Sequence, residues 1–302
     1  MRMNERPIPH RQGLLLSLLD ALGGRVANVD FQKLLLLFCQ EPVHPDIYEF
    51  VPYHFGAFSF TSYADRRKLV ARGLIVSDDG AWALTANGRR SARGQTTRAA
   101  AEHFSQRFIG IRGDRLVAET YRRFPNFAIR SEIVHQVLAG DPKALDAVAA
   151  ARPATHSGIC TIGYQGLSLE AYLNRLLRSG VTVLCDVRRN PLSRKYGFSK
   201  RTLAHACQGI GIRYEHLPEL GIASAERRGL NSAADFQRLF GRYECETLRR
   251  ETAAVARISG WVESGEQVAL TCFEHRPNEC HRLRVAWAVT DSLRGHSAVL
   301  HL

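Results

Sequence analysis

The chain has 302 residues, 45% of them hydrophobic, and its 41 Lys plus Arg outnumber 29 Asp plus Glu to give a net charge of +12. That length supports two domains with real cores, and no window approaches the roughly 18 unbroken apolar residues of a membrane span. A basic surplus selects a polyanionic partner, nucleic acid ahead of a membrane surface, and seven scattered cysteines suit reduced thiols in the cytoplasm better than a disulfide framework.

The N-terminus, "MRMNERPIPH", lacks the apolar core of a secretory signal. Residues 11–22 and 28–40 read as two helices, the second with Asn28 as its N-cap and Leu34, Leu35, Phe38 and Cys39 as its apolar side. Three prolines make the stretch 41–60 a loop. A helix is expected over 61–74, ending at Gly73, and two short strands should flank a turn at Asp78, Asp79 and Gly80. Helices followed by a helix and a hairpin is the order of a winged helix. The segment "LVARGLIVSDDGAWALTANGRR" resembles the end of that fold in bacterial DNA-binding proteins.

From Asp65 to Arg98, eight basic residues face three acids, and Arg66, Arg67, Lys68, Arg89 and Arg90 are the candidates for phosphate contacts on double-stranded DNA. The bland alternative is a protein-interaction module with a solvated basic face. The stretch "KLLLLF" with "VPYHFGAFSF" is also similar to the N-terminal part of the antitoxin family called Panacea. Residues 1–95 are therefore expected to form a mainly α, winged-helix-like domain, and 96–155 a helical connector with a boundary near Pro153.

From residue 156 strands and helices alternate. Apolar runs at 158–163, 181–187, 212–217 and 267–273 are separated by helical stretches, among them a helix capped by Ser168. That rhythm predicts an α/β domain over 156–302, with a parallel, Rossmann-like or rhodanese-like sheet covered on both faces. Ligands in such sheets bind beyond the carboxyl ends of the strands. Tyr164, Asp186, Arg188, Cys272 and Glu274 leave strand ends and are expected to meet there as a catalytic group, with Cys272 and Glu274 on the same side of their strand.

The elements "TIGYQG", "CDVRRNPLSRKYGFSK", "IRYEHLPELG" and "LTCFEHRPNECHR" resemble the domain of unknown function 488 family over about residues 157–302. That family name carries no chemistry. Two departures stand out: "LGI" follows "PEL" where a double glycine is usual, and Arg189 replaces a small residue after "DVR". The first bears on how closely that loop can approach a ligand.

Three chemistries compete for the 271–282 stretch. A metal site would use Cys272, Cys280 and His281 with Glu274 or His275, but the second close ligand pair of structural zinc is absent from the spacing, so neither metal nor other cofactor is expected. A thiol site would make Cys272 a nucleophile in the field of Arg188, Arg276 and Arg282, as in a rhodanese-like sulfur transferase. An acid–base site would use Asp186 and Glu274, held by Arg188 and Arg282, as in glycosidic-bond cleavage. The loop from Arg188 to Arg201 carries six basic residues and no carboxylate. Arg194, Lys195, Tyr196 and Phe198 there, with Cys280, His281 and Arg282, form the expected substrate-binding set for a phosphate backbone and a stacked base. The leading expectation is a DNA-binding, glycosylase-like enzyme that processes modified or damaged bases in repair or phage defence. A non-catalytic DNA-binding sensor of a small anion is the rival from another class.

Overall fold

The computed structural model describes residues 7–41, 47–223, 225–230, 232–293 and 298–302. The chain forms two compact units, Met1–Arg152 and Pro153–Leu302.

In the first unit, α1 (His10–Ala21), β1 (Arg25–Ala27) and α2 (Asn28–Cys39) are followed by the strands β2 (Val51–Tyr53) and β3 (Gly56–Phe58). Then come α3 (Phe60–Ala71), β4 (Ala81–Ala83) and α4 (Ala86–Arg93). Leu14, Leu15, Leu16, Leu18 and Leu19 of α1 and Phe31, Leu34, Leu35 and Leu36 of α2 are fully buried, so these two helices form the centre of the core. Trp82 of β4 stacks on Phe31 with ring centroids 4.2 Å apart.

The expected loop at 41–60 in fact holds the β2–β3 hairpin, which tolerates Pro52 because a two-stranded ribbon has only edges. Asn28 is not the N-cap. It is the first helical residue, and its amide donates to the carbonyl of Asp79 in the turn ahead of β4. The first strand expected near 75 is a single bridge, Ile75 to Leu84, while β4 pairs antiparallel with β1.

The segment expected as a connector holds α5 (Arg98–Arg107), α6 (Asp114–Arg123), α7 (Val134–Val137) and α8 (Pro142–Ala150). All four lie inside the first unit. Val117, Tyr121, Val134, Leu138 and Val148 bury a small second core there, because amphipathic helices this close to a larger core dock rather than span.

The second unit contains β5 (Gly158–Gly163), α9 (Leu169–Arg178), β6 (Val183–Asp186), α10 (Lys200–Gly209) and β7 (Arg213–His216). It continues with α11 (Ala233–Tyr243), α12 (Thr252–Glu263), β8 (Gln267–Cys272), α13 (Arg282–Ser292) and β9 (Leu300–His301). The five strands form one parallel sheet in the order β7-β6-β8-β5-β9. The long helical stretch expected after 235 is divided, α11 running into a π-helical turn at Glu244–Leu248 before α12 begins.

Alternation along the strands divides the sheet into two faces. Ile159, Val183, Cys185, Val268 and Leu270 pack with Phe240, Ile258 and Val285, so α11, α12 and α13 cover one face. The opposite residues meet α9, whose Tyr172 hydroxyl donates to Thr271 Oγ1 at 2.7 Å. Among the described residues no helix is long and apolar enough to cross a membrane.

Candidate functional site

Strand register decides which of the predicted residues can meet. Asp186 pairs with Thr271, one position short of Cys272. Adjacent strand residues point to opposite faces, so Asp186 and Arg188 project to the α9 face and Cys272 and Glu274 to the α11–α13 face. The expected single constellation is therefore two clusters at one sheet edge.

The Asp186 cluster is closed. Arg188 Nε donates to Asp186 Oδ1 at 2.8 Å and its Nη2 to Oδ2 at 2.5 Å, while the Arg188 backbone N–H reaches Oδ1 at 3.1 Å. Tyr214 Oη donates to Oδ2 at 2.6 Å. The remaining Arg188 donor, Nη1, binds Tyr164 Oη and the Phe198 carbonyl, each at 2.9 Å. Asp186 is 0% and Arg188 6% exposed. Burial works against the Arg188 cation, but the hydrogen bonds and charge of Asp186 outweigh it and hold its pKa above the ordinary value. Burial and then the Asp186 charge push the Tyr214 hydroxyl up in the same way. Both oxygens of Asp186 are committed, which leaves it a positioning group rather than a proton-transfer group.

Phe198, expected to stack a substrate base, is fully buried and stacks instead on Tyr164, with centroids 4.4 Å apart. Lys195 Nζ donates to the Tyr164 carbonyl at 3.1 Å, and partial burial lowers its pKa. Arg194 and Tyr196 are exposed on the same loop.

The Glu274 cluster differs in kind. Cys272 Sγ donates to Glu274 Oε2 at 3.3 Å and lies 4.0 Å from His281 Nδ1; Cys280 Sγ is 3.9 Å from that same nitrogen. His281 Nε2 lies 2.9 Å from the Val187 carbonyl, which can only accept, so the proton sits on Nε2 and the Nδ1 lone pair faces the sulfurs. Arg227 completes the group, with Nη1 on Glu274 Oε1 at 2.5 Å and Nη2 on His281 Nδ1 at 2.7 Å.

Arg282, expected to hold the Glu274 carboxylate, instead clamps the loop through the carbonyls of Glu274 (2.5 Å) and His275 (2.9 Å). Arg227 takes the carboxylate, and nothing in the periodicity of its loop marks it for that role. Arg276 lies on the exposed surface and pairs with Glu279 at 3.1 Å.

The two thiols titrate in opposite directions. The hydrogen bond with Cys280, then burial, raises Cys272 well above the ordinary thiol value. Burial opposes ionisation of Cys280, but its contacts with Cys272 and His281 and the charge of Arg282 outweigh it and bring its pKa well down. Burial, then the Cys280 charge, raises Glu274 against the pull of Arg227. With Cys272 2% and Cys280 0% exposed, neither sulfur presents itself to a substrate in this conformation.

Glycine makes the edge this compact. A Cβ on Gly163 would stand 1.8 Å from the Glu274 carbonyl oxygen, and one on Gly221 would stand 2.0 Å from the Arg189 nitrogen. The second contact shows that "LGI" still brings its loop against the backbone after "DVR". Phe273, whose ring packs edge-on to Tyr164 at 5.3 Å and is 44% exposed, is an open aromatic surface that sequence reasoning passed over. A groove of about 1140 Å³ opens beside the other cluster, lined by Lys200, Arg201, His205, Arg213 and Tyr214.

Residues 168–289 match the family model Domain of unknown function DUF488. The DUF488 region covers β6, β7 and β8 with α9 to α12 and most of α13, hence both clusters except Tyr164, and is narrower than the resemblance read from the motifs. Searches of curated proteins and of solved structures found no match.

In the first unit the five expected DNA contacts divide. Arg66 donates to the Ala81 carbonyl at 2.8 Å and covers the rings of Trp82 and Tyr63, and Arg89 donates to the Gly23 carbonyl at 3.1 Å. Those two brace their own unit. Arg67, Lys68 and Arg90 lie on the exposed surface, as does Arg89, and Lys68 pairs with Asp65.

Proposed function

We propose that the chain is a nucleic-acid-binding enzyme whose DUF488 region processes a nucleotide at the carboxyl edge of its sheet, by releasing or hydrolysing a modified or damaged base. The observation that carries this reading is Glu274: a carboxylate anchored on one oxygen by Arg227, with the other held among thiols in a desolvated position. A fixed, partly desolvated carboxylate can activate water or stabilise a developing sugar cation. The paired-carboxylate version is set aside, because Asp186 has no free oxygen and projects from the other face. Phe273 offers a ring for base stacking, and the basic groove beside Tyr214 suits a phosphate backbone.

The first unit supports the binding half of the reading. We read its order α1-β1-α2-α3, followed by a bridge at Ile75 and a strand returning to β1, as a winged helix with a hairpin inserted before the third helix. In that fold α3 would enter the major groove, and Arg67, Lys68 and Arg72 lie exposed along it.

The test incubates the full chain with duplexes carrying varied modified bases and scores released base and alkali-labile sites. Glu274→Gln is expected to reduce turnover by about 10²–10⁴-fold while DNA affinity stays nearly unchanged. A folded variant with full activity removes Glu274 from the mechanism. Wild-type protein inert on every substrate, yet binding DNA with ligand-dependent affinity, replaces the enzyme by a sensor. Reversing Arg67, Lys68 and Arg90 to glutamate should weaken duplex binding whatever its sequence, and lower the log–log salt slope by about 0.9 per lost contact.

A further inference from the structure

Cys272, Cys280 and His281 converge in a way that neither acid–base work nor packing requires. Their ligand atoms, two Sγ and Nδ1, all lie within 4.8 Å of one another, and all three residues are buried. In the sequence they form one pair and one distant cysteine, which is why spacing alone argues against a metal. The fold supplies what the spacing lacks, by bringing the end of β8 against Cys280 and His281, the two residues that lead into α13.

We propose that this cluster binds one zinc-class divalent cation, with Cys272 Sγ, Cys280 Sγ and His281 Nδ1 as ligands and Glu274 Oε2 at the fourth corner.

The distances suit a tetrahedral ion. Zinc–sulfur bonds of about 2.3 Å and zinc–nitrogen bonds of about 2.0–2.1 Å place sulfur and nitrogen ligands about 3.5 Å apart, and sulfur and oxygen ligands about as far. The two sulfur-to-nitrogen separations are 4.0 and 3.9 Å, and Cys272 Sγ to Glu274 Oε2 is 3.3 Å. A contraction of a few tenths of an ångström closes the site.

The surroundings are those of a ligand histidine. Donating Nε2–H to the Val187 carbonyl fixes both tautomer and ring plane and leaves the Nδ1 lone pair to face the ion. Two thiolates and a carboxylate against a dication leave one negative charge, and Arg227 stands ready to balance it. Its contact with Glu274 uses Oε1, the oxygen that the ion does not need, so only the Nη2 bond to Nδ1 must be released. Binding breaks no covalent bond apart from deprotonating the thiols, whose protons pass to solvent, and it needs no oxidant. A water exchanging onto the fourth corner would find Glu274 as its proton acceptor.

This inference concerns the pocket of the proposed enzyme but stands on ligand geometry, and its test uses no substrate. Tag-free full-length protein, reduced and stripped by a chelator, is titrated anaerobically with Co²⁺. The expected result is one equivalent bound, a tetrahedral d–d spectrum and a thiolate-to-cobalt charge-transfer band, all erased by one equivalent of Zn²⁺. Cys245→Ser should change nothing. Cys280→Ser and His281→Gln should each weaken binding by more than about 100-fold, beyond the usual loss for an outer-shell partner.

If the buried variants fail to fold, the wild-type titration decides. No charge-transfer band with all thiols shown to be reduced overturns the site, and so does a band that survives unchanged in folded Cys280→Ser. Metal binding without base release leaves the site standing and removes the enzyme, while base release by protein that gives no charge-transfer band leaves the enzyme standing and removes the site.

Discussion

The two clusters at the sheet edge draw on the same residue types and reach opposite results. Around Asp186 each charge meets a matching partner at short range, and the group is sealed by Tyr164, Phe198 and Tyr214. Around Glu274 the sulfur contacts are longer, and a single arginine spans both the carboxylate and the imidazole. A saturated buried ion pair locks geometry, whereas a buried group with coordination to spare is where chemistry can enter. Arginine beside a carboxylate at a strand end is thus no sign of catalysis until its hydrogen bonds have been accounted for.

The sharpest break of that contrast is Asp186→Asn. It leaves Arg188 buried beside a neutral amide and should destabilise the second unit by about 3–5 kcal/mol. Hydrogen exchange of peptides from 153–302 under increasing urea reads the loss unit by unit. Glu274→Gln, between side chains 21% and 27% exposed, should shift the same measurement by less than about 1 kcal/mol. Equal losses in the two variants would erase the distinction between a structural and a chemical cluster.

Tyr214→Phe sharpens it further, since it removes one hydrogen bond to the buried carboxylate and leaves the arginine in place. A loss of about 1.5–3 kcal/mol is expected, the range for a hydrogen bond to a charged group. No change would mean that Arg188 alone saturates Asp186.

A third buried ion supplies the most diagnostic effect. Lys33 in α2 is 2% exposed, donates to the Ala57 carbonyl at 2.9 Å, and lines a cavity of about 330 Å³ with Tyr53, His54 and Tyr63. Burial, opposed by the Asp30 charge, lowers its pKa from 10.5 to about 7. The unfolded chain keeps that proton up to its ordinary pKa, so between about pH 7 and 10.5 it binds more protons than the folded one, and stability rises with pH. Below that window both states are protonated and the cost of burying the charge is complete. From pH 6 to pH 8 the first unit should gain about 1.4 kcal/mol, and Lys33→Met should abolish that gain. A slope that persists in the variant would assign the titration elsewhere.

Much of this was legible in the residues. Buried parallel strands are continuous apolar runs, so β5, β6 and β8 announced themselves, and the strand-end rule pointed to the edge where both clusters gather. Strand register was not legible, and register alone separates Asp186 from Glu274: one residue's offset against Thr271 moves a side chain through the sheet. Arg227 was invisible because a loop arginine has no period to mark it. Phe198 and Phe273 were exchanged for a related reason, since composition cannot tell a ring that seals a cluster from one that faces water. The metal ligands were all noticed, and only the tertiary approach of Cys280 and His281 to Cys272 makes them a set.

The strand order carries a consequence for how the second unit is made. β8 lies between β6 and β5, so Gly158 must wait for Gln267 and Val183 for Val268 before either earlier strand has its central neighbour. During synthesis the chain emerges N-terminus first, so β5 and β6 appear with unpaired, apolar edges long before the strand that joins them. Such non-local pairing slows folding, and the last central strand to arrive closes the sheet like a keystone set between two waiting halves. That same strand ends in Cys272. The cluster at its tip cannot assemble until the sheet has closed, so occupancy of that cluster reports a completed fold.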